Sequence, residues 1–424
     1  MPLIRSWVQS ANSKNTDFPL NNLPYGVFTI KNQTAHCGVA IGDMILDVTQ
    51  LEEKKIISPL AQDKVFNKPY WNDFMKLGSN SWSKFREELT NLLMEHPPNT
   101  IVNQEKTLSP FLIPQSICVL HKPFIVSEFT DFFASYHHAK NVGTMFRGPD
   151  NALPPNWLHM PIGYNGRAST VVVSGTEIKR PMGQLKPPTK DVPYFGASKR
   201  FDFELEMGAI IGTQSKSNSR LSTEEADDLI FGYVILNDWS ARDIQAWEYQ
   251  PLGPFQAKAT ATTISPWIVT KAALEPFRTF TPKPQKPLLD YLEEKRPMLY
   301  DINLSVSIKT NLSKKSYDLV QSNYSEMYYS SAQQIAHHTS SGCIMNIGDL
   351  IGSGTISGPQ KHQYGSMLEL SWGGKEPITL NDSEARTFIE DEDTISMSGF
   401  ASGDGYKIGF GENIGKVVSP IIET

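Results

Sequence analysis

The sequence has few cysteines, no long apolar run and no run of basic residues, and each absence excludes a class of protein. Its three cysteines among 424 residues are far apart and form neither a metal-ligand spacing nor a disulfide framework, which favours a reducing compartment. No apolar run approaches the ~20 residues of a membrane-spanning helix, and the N-terminus lacks the layout of a signal peptide. The formal net charge of -6 argues against nucleic acid and acidic membranes as partners. We therefore expect a soluble, cytoplasmic protein.

The length predicts about two or three domains, and 39% hydrophobic residues provide ample material for a core. Short strands predicted over residues 25–30, 37–41 and 44–48 are separated by polar turns, a pattern typical of a small barrel or roll. Two prolines in residues 109–115 disfavour a helix there and indicate a linker. We predict an N-terminal domain over residues 1–118 and a main domain over residues 119–424.

A strand predicted over residues 201–207 alternates apolar and acidic side chains without a break. Because side chains two apart point the same way, Asp202, Glu204 and Glu206 share one face. One interpretation is a half-buried strand with a solvated acidic face. The other is that Glu204 and Glu206 bind a divalent cation, since a metal relieves the repulsion between like charges held this close.

A helix is predicted over residues 126–143, begun by a hydroxyl cap and ended by Gly143. Asp131 and His138, seven residues apart, would lie on one face of this helix. The pair is interpreted as a metal ligand beside a general base. The alternative is a surface aspartate and a structural histidine.

Residues 233–236 form an apolar run that predicts a buried strand ending near Asp238, and sites are commonly built at strand ends. On the short helix predicted to follow, Arg242, Gln245 and Tyr249 share a face. A cation, an amide and a phenol directly beside an aspartate are unusual for plain surface, although a structural role stays open.

Five further polar residues lie in predicted loops or strands. Arg147 follows Gly143 in a loop that could direct it at an anionic substrate. Tyr164 lies in a glycine-flanked loop that either holds a substrate or serves as a tight connection. Lys258 and Thr262 belong to a loop of small residues. Glu369 lies in a predicted strand between two leucines, where an acid is either exposed or needs a partner.

The four carboxylates Asp131, Glu204, Glu206 and Asp238 would form an oxygen-only ligand set. Such a set selects a hard cation, Ca²⁺ or Mg²⁺, rather than zinc. Lys258 would offset part of the excess negative charge. Coordination positions would remain for a substrate that chelates through two oxygens, such as a 1,3-diketone.

A histidine paired with a carboxylate can act as a hydrolytic base. Glu369 would orient the imidazole while His138 takes a proton from water, and Arg242, Gln245 and Lys258 would hold charge that develops on oxygen. The sequence has no Gly-x-Ser-x-Gly elbow, which disfavours a serine nucleophile. These residues permit hydrolysis of a carbon–carbon bond in a β-diketone without singling it out.

Several long, ordered motifs resemble the fumarylacetoacetate hydrolase family. They are Thr130-Asp-Phe-Phe, His138-Ala-Lys-Asn-Val-Gly, Asn156-Trp-Leu-His-Met-Pro-Ile-Gly-Tyr-Asn-Gly-Arg-Ala-Ser, Glu204-Leu-Glu206, Asn237-Asp-Trp-Ser-Ala-Arg-Asp-Ile-Gln, Gly354-Thr-Ile-Ser-Gly-Pro and Gly403-Asp-Gly-Tyr. The resemblance runs from about residue 115 to the end, and the leading domain also fits the full-length enzyme.

This resemblance implies a mainly β fold with some helix, in which an N-terminal SH3-like small barrel precedes a C-terminal mixed β-roll catalytic domain. It also implies a homodimer. The implied reaction is hydrolysis of 4-fumarylacetoacetate to fumarate and acetoacetate, the last step of tyrosine and phenylalanine breakdown.

The resemblance also implies a role for each matching residue. His138 is the implied base and Glu369 its partner. The implied metal ligands are Asp131, Glu204, Glu206 and Asp238, with Lys258 and Thr262 at positions tied to a second, Mg²⁺ assignment; Lys258 is interpreted as an outer partner, because an ammonium is a poor direct ligand. The implied substrate contacts are Phe133, Arg147, Tyr164, Gln245, Tyr249 and Thr355. Phe133 is a departure, since the family has a tyrosine there and one hydroxyl is missing.

Two alternatives remain. An isomerase or decarboxylase of a related keto acid would share the fold and the carboxylates, but the His138–Glu369 pair and the leading domain favour the hydrolase. A non-enzymatic Ca²⁺-binding protein would have no use for the donors Arg242 and Gln245.

Overall fold

The computed structural model describes residues 2–31, 33–97, 104–216, 220–313, 315–381 and 383–421. Strands outnumber helices along the described chain, and the mainly β class is confirmed. Among these residues, no helix combines the length and the apolar character that crossing a bilayer requires.

The N-terminal region combines five strands with four helices. The strands are β1 Tyr25–Ile30, β2 His36–Ile41, β3 Met44–Asp47, β4 Leu112–Pro114 and β5 Cys118–His121. The helices are α1 Val48–Glu53, α2 Asn72–Met75, α3 Ser79–Leu93 and α4 Gln104–Leu108.

The five strands form one antiparallel sheet in the order β4-β3-β2-β1-β5. Strands β4 and β5 lie at opposite edges, yet only the three residues Gln115–Ile117 separate them in sequence. The sheet must therefore curl until its edges approach each other, which is consistent with the predicted small barrel. The residues predicted as a linker contribute β4 to this sheet, because β4 pairs with β3. The boundary predicted after residue 118 falls at the first residue of β5.

The remaining chain contributes twenty-two described strands and six α-helices. The strands up to the middle of this region are β6 Phe129–Phe132, β7 Gly163–Asn165, β8 Val171–Val173, β9 Glu177–Lys179, β10 Met182–Leu185, β11 Tyr194–Ala197, β12 Phe201–Asp202, β13 Leu205–Ile211, β14 Ile230–Asp238, β15 Ser240–Ala241, β16 Thr262–Ile264 and β17 Val269–Thr270. Those that follow are β18 Arg278–Thr279, β19 Leu299–Tyr300, β20 Asn303–Lys309, β21 Tyr317–Asn323, β22 Leu350–Gly352, β23 Ile378–Asn381, β24 Glu384–Arg386, β25 Thr394–Ser402, β26 Lys407–Gly409 and β27 Asn413–Val418. The helices are α5 Tyr136–Arg147, α6 Thr223–Leu229, α7 Arg242–Glu248, α8 Lys271–Leu274, α9 Ser331–Thr339 and α10 Met367–Leu370.

Two large mixed sheets dominate this region. The first runs β7-β6-β22-β13-β14-β16-β8, with β17 also paired to β14, and the second runs β21-β20-β25-β27-β9, with β26 also paired to β25. Each contains both parallel and antiparallel pairs. The first sheet carries the residues of the site described below.

The first sheet is covered on both faces, and the alternation along β14 shows how. Tyr233 and Ile235 join the core that includes the second sheet, whereas Val234 and Leu236 join a core built largely from N-terminal residues. Tyr25 of β1 also exchanges two backbone hydrogen bonds with Ile268, of 2.9 and 2.8 Å. The N-terminal region therefore covers one face of the first sheet.

The strand predicted over residues 201–207 is interrupted. Phe201 and Asp202 pair with β15, Glu204 makes an isolated bridge to Ser366, and β13 begins at Leu205. The interpretation of a solvated acidic face is wrong, because all three acids are buried.

The helix predicted over residues 126–143 is also wrong. Asp131 lies in strand β6, and Ser135 caps a helix that continues to Arg147 and ends at Gly148, whose φ is 82°. Gly143 has a different function. A side chain there would meet the Ala152 carbonyl oxygen at 1.7 Å, so close packing requires this glycine.

Four other local predictions differ from the structure. Glu369 lies in the short helix α10 rather than in a strand, because Ser366 caps that turn. Tyr164 lies in strand β7 and Thr262 begins strand β16. Arg147 is the last residue of α5 rather than part of a loop.

Candidate active site

Four carboxylates meet at one end of the first sheet. Asp131 of β6, Glu206 of β13, Asp238 at the end of β14 and Glu204 just before β13 each offer an oxygen, and these oxygens all lie within 4.8 Å of one another. All four side chains are buried. The four acids selected from the sequence therefore converge, although Asp131 reaches the cluster from a strand.

Gly352 of β22 leaves room for this cluster. It pairs with Asp131 on one side and with Gly208 on the other. A Cβ at Gly352 would lie 2.7 Å from Asp131 Oδ1 and 3.1 Å from Glu206 Oε2. The two acids can therefore come together only because position 352 of this strand carries no side chain.

Three cations border the cluster. The Lys258 ammonium contacts Glu204 Oε2 and lies 3.0 Å from Asp238 Oδ2. Arg242 Nη1 lies 2.6 Å from Glu204 Oε1, and Arg167 Nη2 lies 3.0 Å from Asp238 Oδ1. Their positive charge falls mainly on Glu204 and Asp238.

The pKa values reflect this uneven distribution. Burial, followed by the charge of Asp238, raises the pKa of Asp131, and burial together with the charge of Asp131 raises the pKa of Glu206 well above its usual value. Burial also acts on Glu204, but Lys258 and Arg242 outweigh it and lower its pKa. Part of the cluster therefore lacks the positive charge that would keep it ionised.

The donor set fits a hard divalent cation. Glu206 Oε1 is buried and has no hydrogen-bond partner among the described residues, whereas its Oε2 accepts a 2.9 Å hydrogen bond from the Gly354 N–H. An unpaired buried carboxylate oxygen is costly, and oxygen-only sites suit Ca²⁺ or Mg²⁺. The four carboxylates are the residues that would hold such an ion.

Two hydroxyl groups orient the cluster. Tyr164 donates to Asp131 Oδ2 at 2.6 Å, and Thr262 donates to Asp238 Oδ1 at 3.0 Å. Tyr164 and Thr262 thus lie at the site, as partners of the carboxylates.

His138 and Glu369 form a buried pair, with 2.7 Å between His138 Nδ1 and Glu369 Oε2. Glu369 also accepts hydrogen bonds from Asn141 at 2.9 Å, Ser357 at 3.0 Å and Ser366 at 2.8 Å. Burial raises the pKa of Glu369, but the His138 imidazole and the hydrogen bonds from Asn141 and Ser366 lower it overall. An ionised Glu369 accepts the Nδ1 proton, which leaves His138 Nε2 to take a proton.

Arg242 links several groups of the site. Its Nε donates to Asp202 Oδ2 at 2.8 Å, and its Nη1 donates to Glu204 and, at 3.2 Å, to Gln245 Oε1. Its Nη2 is buried and has no acceptor within the described part of the chain. One N–H-bearing nitrogen of a fixed guanidinium is therefore available to a bound oxygen.

Of the predicted substrate contacts, Phe133 packs against His138 and Thr355 is buried, whereas Tyr249 and Arg147 are more accessible to solvent than Thr355. The Phe133 ring packs edge-on against the His138 imidazole, 5.4 Å between centroids, and the Thr355 hydroxyl is buried without a partner in the described structure. Tyr249 is half-buried and lies 6.2 Å from Phe146 between ring centroids. Arg147 is exposed and donates to the carbonyls of Asn151 and Ala152, so it is not drawn into the carboxylate cluster.

The sequence interpretation missed the residues that support the site. They are Asn141, Asp202, Ser357 and Ser366, whereas Arg167 lies with Tyr164 in the segment that the sequence predicts as a glycine-flanked loop, either a substrate contact or a tight connection. The acidic alternation predicts the position of Asp202 on the strand but no role for it. Asn141 follows His138 by one helical turn, so proximity in sequence was the available indication for Asn141. Ser366 caps the turn three residues before Glu369, a Ser-x-x-Glu spacing visible in the sequence, whereas Ser357 lies twelve residues away and reaches Glu369 through the fold.

The chain matches two family models. Residues 128–421 match the family described as "Fumarylacetoacetate (FAA) hydrolase C-terminal", and residues 21–123 match "Fumarylacetoacetase N-terminal". The fumarylacetoacetase of Dictyostelium discoideum is 47% identical over 424 residues, covering 99% of each chain. The fumarylacetoacetase of Arabidopsis thaliana is 45% identical over 421 residues, again covering 99% of each chain.

The fold is shared with solved structures. A fumarylacetoacetate hydrolase from Exiguobacterium antarcticum superposes with a TM-score of 0.51 at 16% identity, covering 94% of this chain and 99% of that one. The metal-compatible carboxylate cluster and the His–Glu pair lie on an enzyme fold. The chain belongs to the fumarylacetoacetate hydrolase family.

Proposed function

We propose that this protein hydrolyses 4-fumarylacetoacetate to fumarate and acetoacetate, the last step of tyrosine and phenylalanine breakdown. The observation that carries the proposal is the meeting of three features in one buried site: four clustered carboxylates, the His138–Glu369 pair and the free Nη2 of Arg242. Near-full-length similarity to fumarylacetoacetases supports it.

The resident ion proposed is Ca²⁺ or Mg²⁺, held by Asp131, Glu204, Glu206 and Asp238. When bound, it supplies a Lewis acid that polarises the oxygens of a β-diketone. Lys258 and Thr262 act as outer partners that orient and neutralise these carboxylates.

His138 starts the reaction as a general base. Its Nε2 takes a proton from water, because Glu369 holds Nδ1–H and stabilises the imidazolium that forms. The water oxygen bonds to the carbonyl carbon of the fumaryl group itself, which becomes the second carboxylate of fumarate. The bond from that carbon to the neighbouring CH₂ then breaks, and its electron pair leaves with the acetoacetate carbon. The proton held by His138 completes the new C–H bond.

Arg242, Gln245 and Lys258 stabilise the negative charge that develops on oxygen. Arg242 contributes most directly, since its Nη1 already contacts Glu204 and its buried Nη2 has no acceptor among the described residues. Loss of one such donor typically costs about 3–4 kcal/mol of transition-state stabilisation. Phe133, Arg147, Tyr164, Gln245, Tyr249 and Thr355 are proposed to contact the substrate.

The test is a direct assay. Purified protein is mixed with 4-fumarylacetoacetate, and loss of the β-diketone absorbance is followed with and without a chelator, then after addition of Ca²⁺ or Mg²⁺. We expect turnover that the chelator abolishes and one of the two ions restores. Products other than fumarate and acetoacetate would point instead to an isomerase or decarboxylase.

A matched pair of variants tests the ion site. Glu206→Gln removes a charge at the oxygen without a partner, whereas Asp227→Asn removes a buried charge that pairs with Arg278 and Arg296 outside the cluster. Calorimetry measures the ion affinity of both variants. Loss of an outer partner of a metal ligand typically costs about 10- to 100-fold in affinity, and we expect Glu206→Gln to lose at least this much. Asp227→Asn should keep the wild-type affinity. Equal affinities in the two variants would reject Glu206 as a ligand.

The assembly and location are also proposals. A homodimer follows from the family resemblance, and light scattering on the purified protein measures it. A cytoplasmic location fits the sparse cysteines, and fractionation of cells tests it.

A further inference from the structure

We propose that Asp202 is a positioning residue that aligns Arg242 with the helical turn carrying Glu369. This inference deepens the proposed hydrolysis and rests on it. Asp202 is not one of the four clustered acids, and its hydrogen bonds go to Arg242, Met367 and Leu368, not to His138 or Glu369. Its effect on the reaction therefore passes through Arg242 and the start of helix α10.

The contacts of Asp202 join two separate segments of the chain. Its Oδ2 accepts from Arg242 Nε at 2.8 Å and from the Leu368 N–H at 2.9 Å, and its Oδ1 accepts from the Met367 N–H at 2.8 Å. The side chain is 0% exposed. A single carboxylate thus fixes the distance between the guanidinium and the start of helix α10.

Helix α10 depends on these bonds. The first N–H groups of a helix have no partner within it, and Asp202 satisfies those of Met367 and Leu368. Ser366, the cap, accepts from the Glu369 N–H and donates to Glu369 Oε2. Displacing the turn would therefore move the Glu369 carboxylate that holds His138.

Arg242 depends on Asp202 in the same way. Two bonds, from Nε to Asp202 and from Nη1 to Glu204, define the plane of the guanidinium. That plane fixes the direction of Nη2. Without the bond from Nε, only the bonds that Nη1 makes to Glu204 and Gln245 remain, and the guanidinium can rotate about Nη1. A misplacement of about 1 Å can cost about 100-fold in rate.

A buried ion pair with a purely structural role offers the control. Asp393 is also 0% exposed. It binds Arg386 through two hydrogen bonds of 2.9 and 3.1 Å and accepts from the Glu390 N–H at 2.9 Å. It therefore reproduces the guanidinium and backbone contacts of Asp202 while contacting none of the site residues named above.

The experiment compares Asp202→Asn with Asp393→Asn in the ion-loaded protein. Asparagine keeps one acceptor but turns an amide towards a donor. We expect kcat of Asp202→Asn to fall about 100-fold with KM changed less than about threefold, because both displaced groups act in the transition state. Asp393→Asn should lose about as much Tm as Asp202→Asn, but its kcat per folded molecule should stay within about twofold of the wild-type value. Equal kcat losses in the two variants, or unchanged kcat in Asp202→Asn, would overturn the proposal.

Asp202→Glu keeps the test decisive if Asp202→Asn yields too little folded protein. Glutamate retains the charge and shifts the carboxylate by one methylene. The same fall in kcat per folded molecule is expected even where the extra methylene lowers Tm, and wild-type kcat would refute the positioning role.

The low-field proton NMR signal of His138 Nδ1–H tests the positioning role of Asp202 independently of the proposed hydrolysis. Asp202→Asn should move or remove this signal and Asp393→Asn should not. A wild-type protein that leaves 4-fumarylacetoacetate intact would refute the proposed function, while an unmoved signal in Asp202→Asn would refute the role of Asp202.

Discussion

His138 Nδ1 lies 2.7 Å from Glu369 Oε2, although 231 residues separate the two in the chain. The contact joins helix α5 to helix α10, and both side chains are buried. The other hydrogen bonds to the Glu369 oxygens, within the described part of the chain, come from the neutral donors Asn141, Ser357 and Ser366, so the imidazole is the titratable partner.

His138→Ala should remove most of the activity and leave ion binding intact. The base contributes about 10²- to 10⁴-fold to such a reaction, and His138 is not one of the clustered acids. Activity and ion titration measure the two effects. His137→Ala is the control, since that neighbouring ring is half-exposed and lies 3.9 Å from Glu326. Normal turnover in His138→Ala would eliminate it as the base.

Gly352→Ala should weaken ion binding without unfolding the protein. The added methyl group would lie 2.7 Å from Asp131 Oδ1, so the acids must separate. Calorimetric titration with Ca²⁺ and Mg²⁺ should show at least a tenfold loss of affinity, comparable to loss of an outer partner of a ligand. Unchanged affinity would show that the carboxylate cluster tolerates a side chain at position 352.

Glu294 should make stability depend on pH. Burial raises its pKa to about 7 from a usual 4.5, although hydrogen bonds from Ser330 and Thr281 lower it, and Asp227 and Glu224 add to the rise. Between these two pKa values the folded state binds more protons than the unfolded state. The contribution of Glu294 to the free energy of unfolding is therefore complete below about pH 4.5 and is lost as the pH rises through about 7.

Glu294→Gln should therefore gain stability relative to the wild type as the pH rises from 5 to 8. Thermal unfolding across this range measures the difference. The exposed neighbour Glu293 provides the control substitution Glu293→Gln. Parallel curves for wild type and Glu294→Gln would contradict the raised pKa.

Phe133→Tyr should lower KM. The Phe133 ring packs against His138, so a hydroxyl on it would enter the site and could donate to an oxygen of the substrate. One such bond contributes roughly 0.5–1.5 kcal/mol, which corresponds to a severalfold change. Steady-state kinetics give the answer, with Phe133→Leu as the variant that adds no donor. An unchanged KM would mean that the missing hydroxyl is irrelevant.

Much of the site could be predicted because its residues sit in patterned segments. The unbroken alternation before Met207 identified Glu204 and Glu206, and the apolar run that forms β14 identified Asp238. Asp131 lies in the cluster, but in a strand and not in the predicted helix. Its spacing from His138 suggested a helix, but Ser135 supplies the cap and the residues before it form a strand.

The remainder could not be predicted because it depends on distant contacts. Gly143 resembles a helix end in the sequence, yet it is conformationally ordinary and is needed for packing against Ala152. Glu369 between two leucines resembles a strand position. The helical turn is supported by the Ser366 cap and by bonds from Met367 and Leu368 to Asp202, 165 and 166 residues away, and these distant bonds have no signal in the sequence.

The core between the first sheet and the N-terminal strands has a consequence for how the chain denatures. Val234, Leu236 and Leu350 bury their side chains in the same cluster as Val27 and Val39. A protein divided at the predicted boundary would expose both halves of that cluster to water. The two regions should accordingly melt in a single cooperative transition, and neither should persist as a soluble fragment by itself.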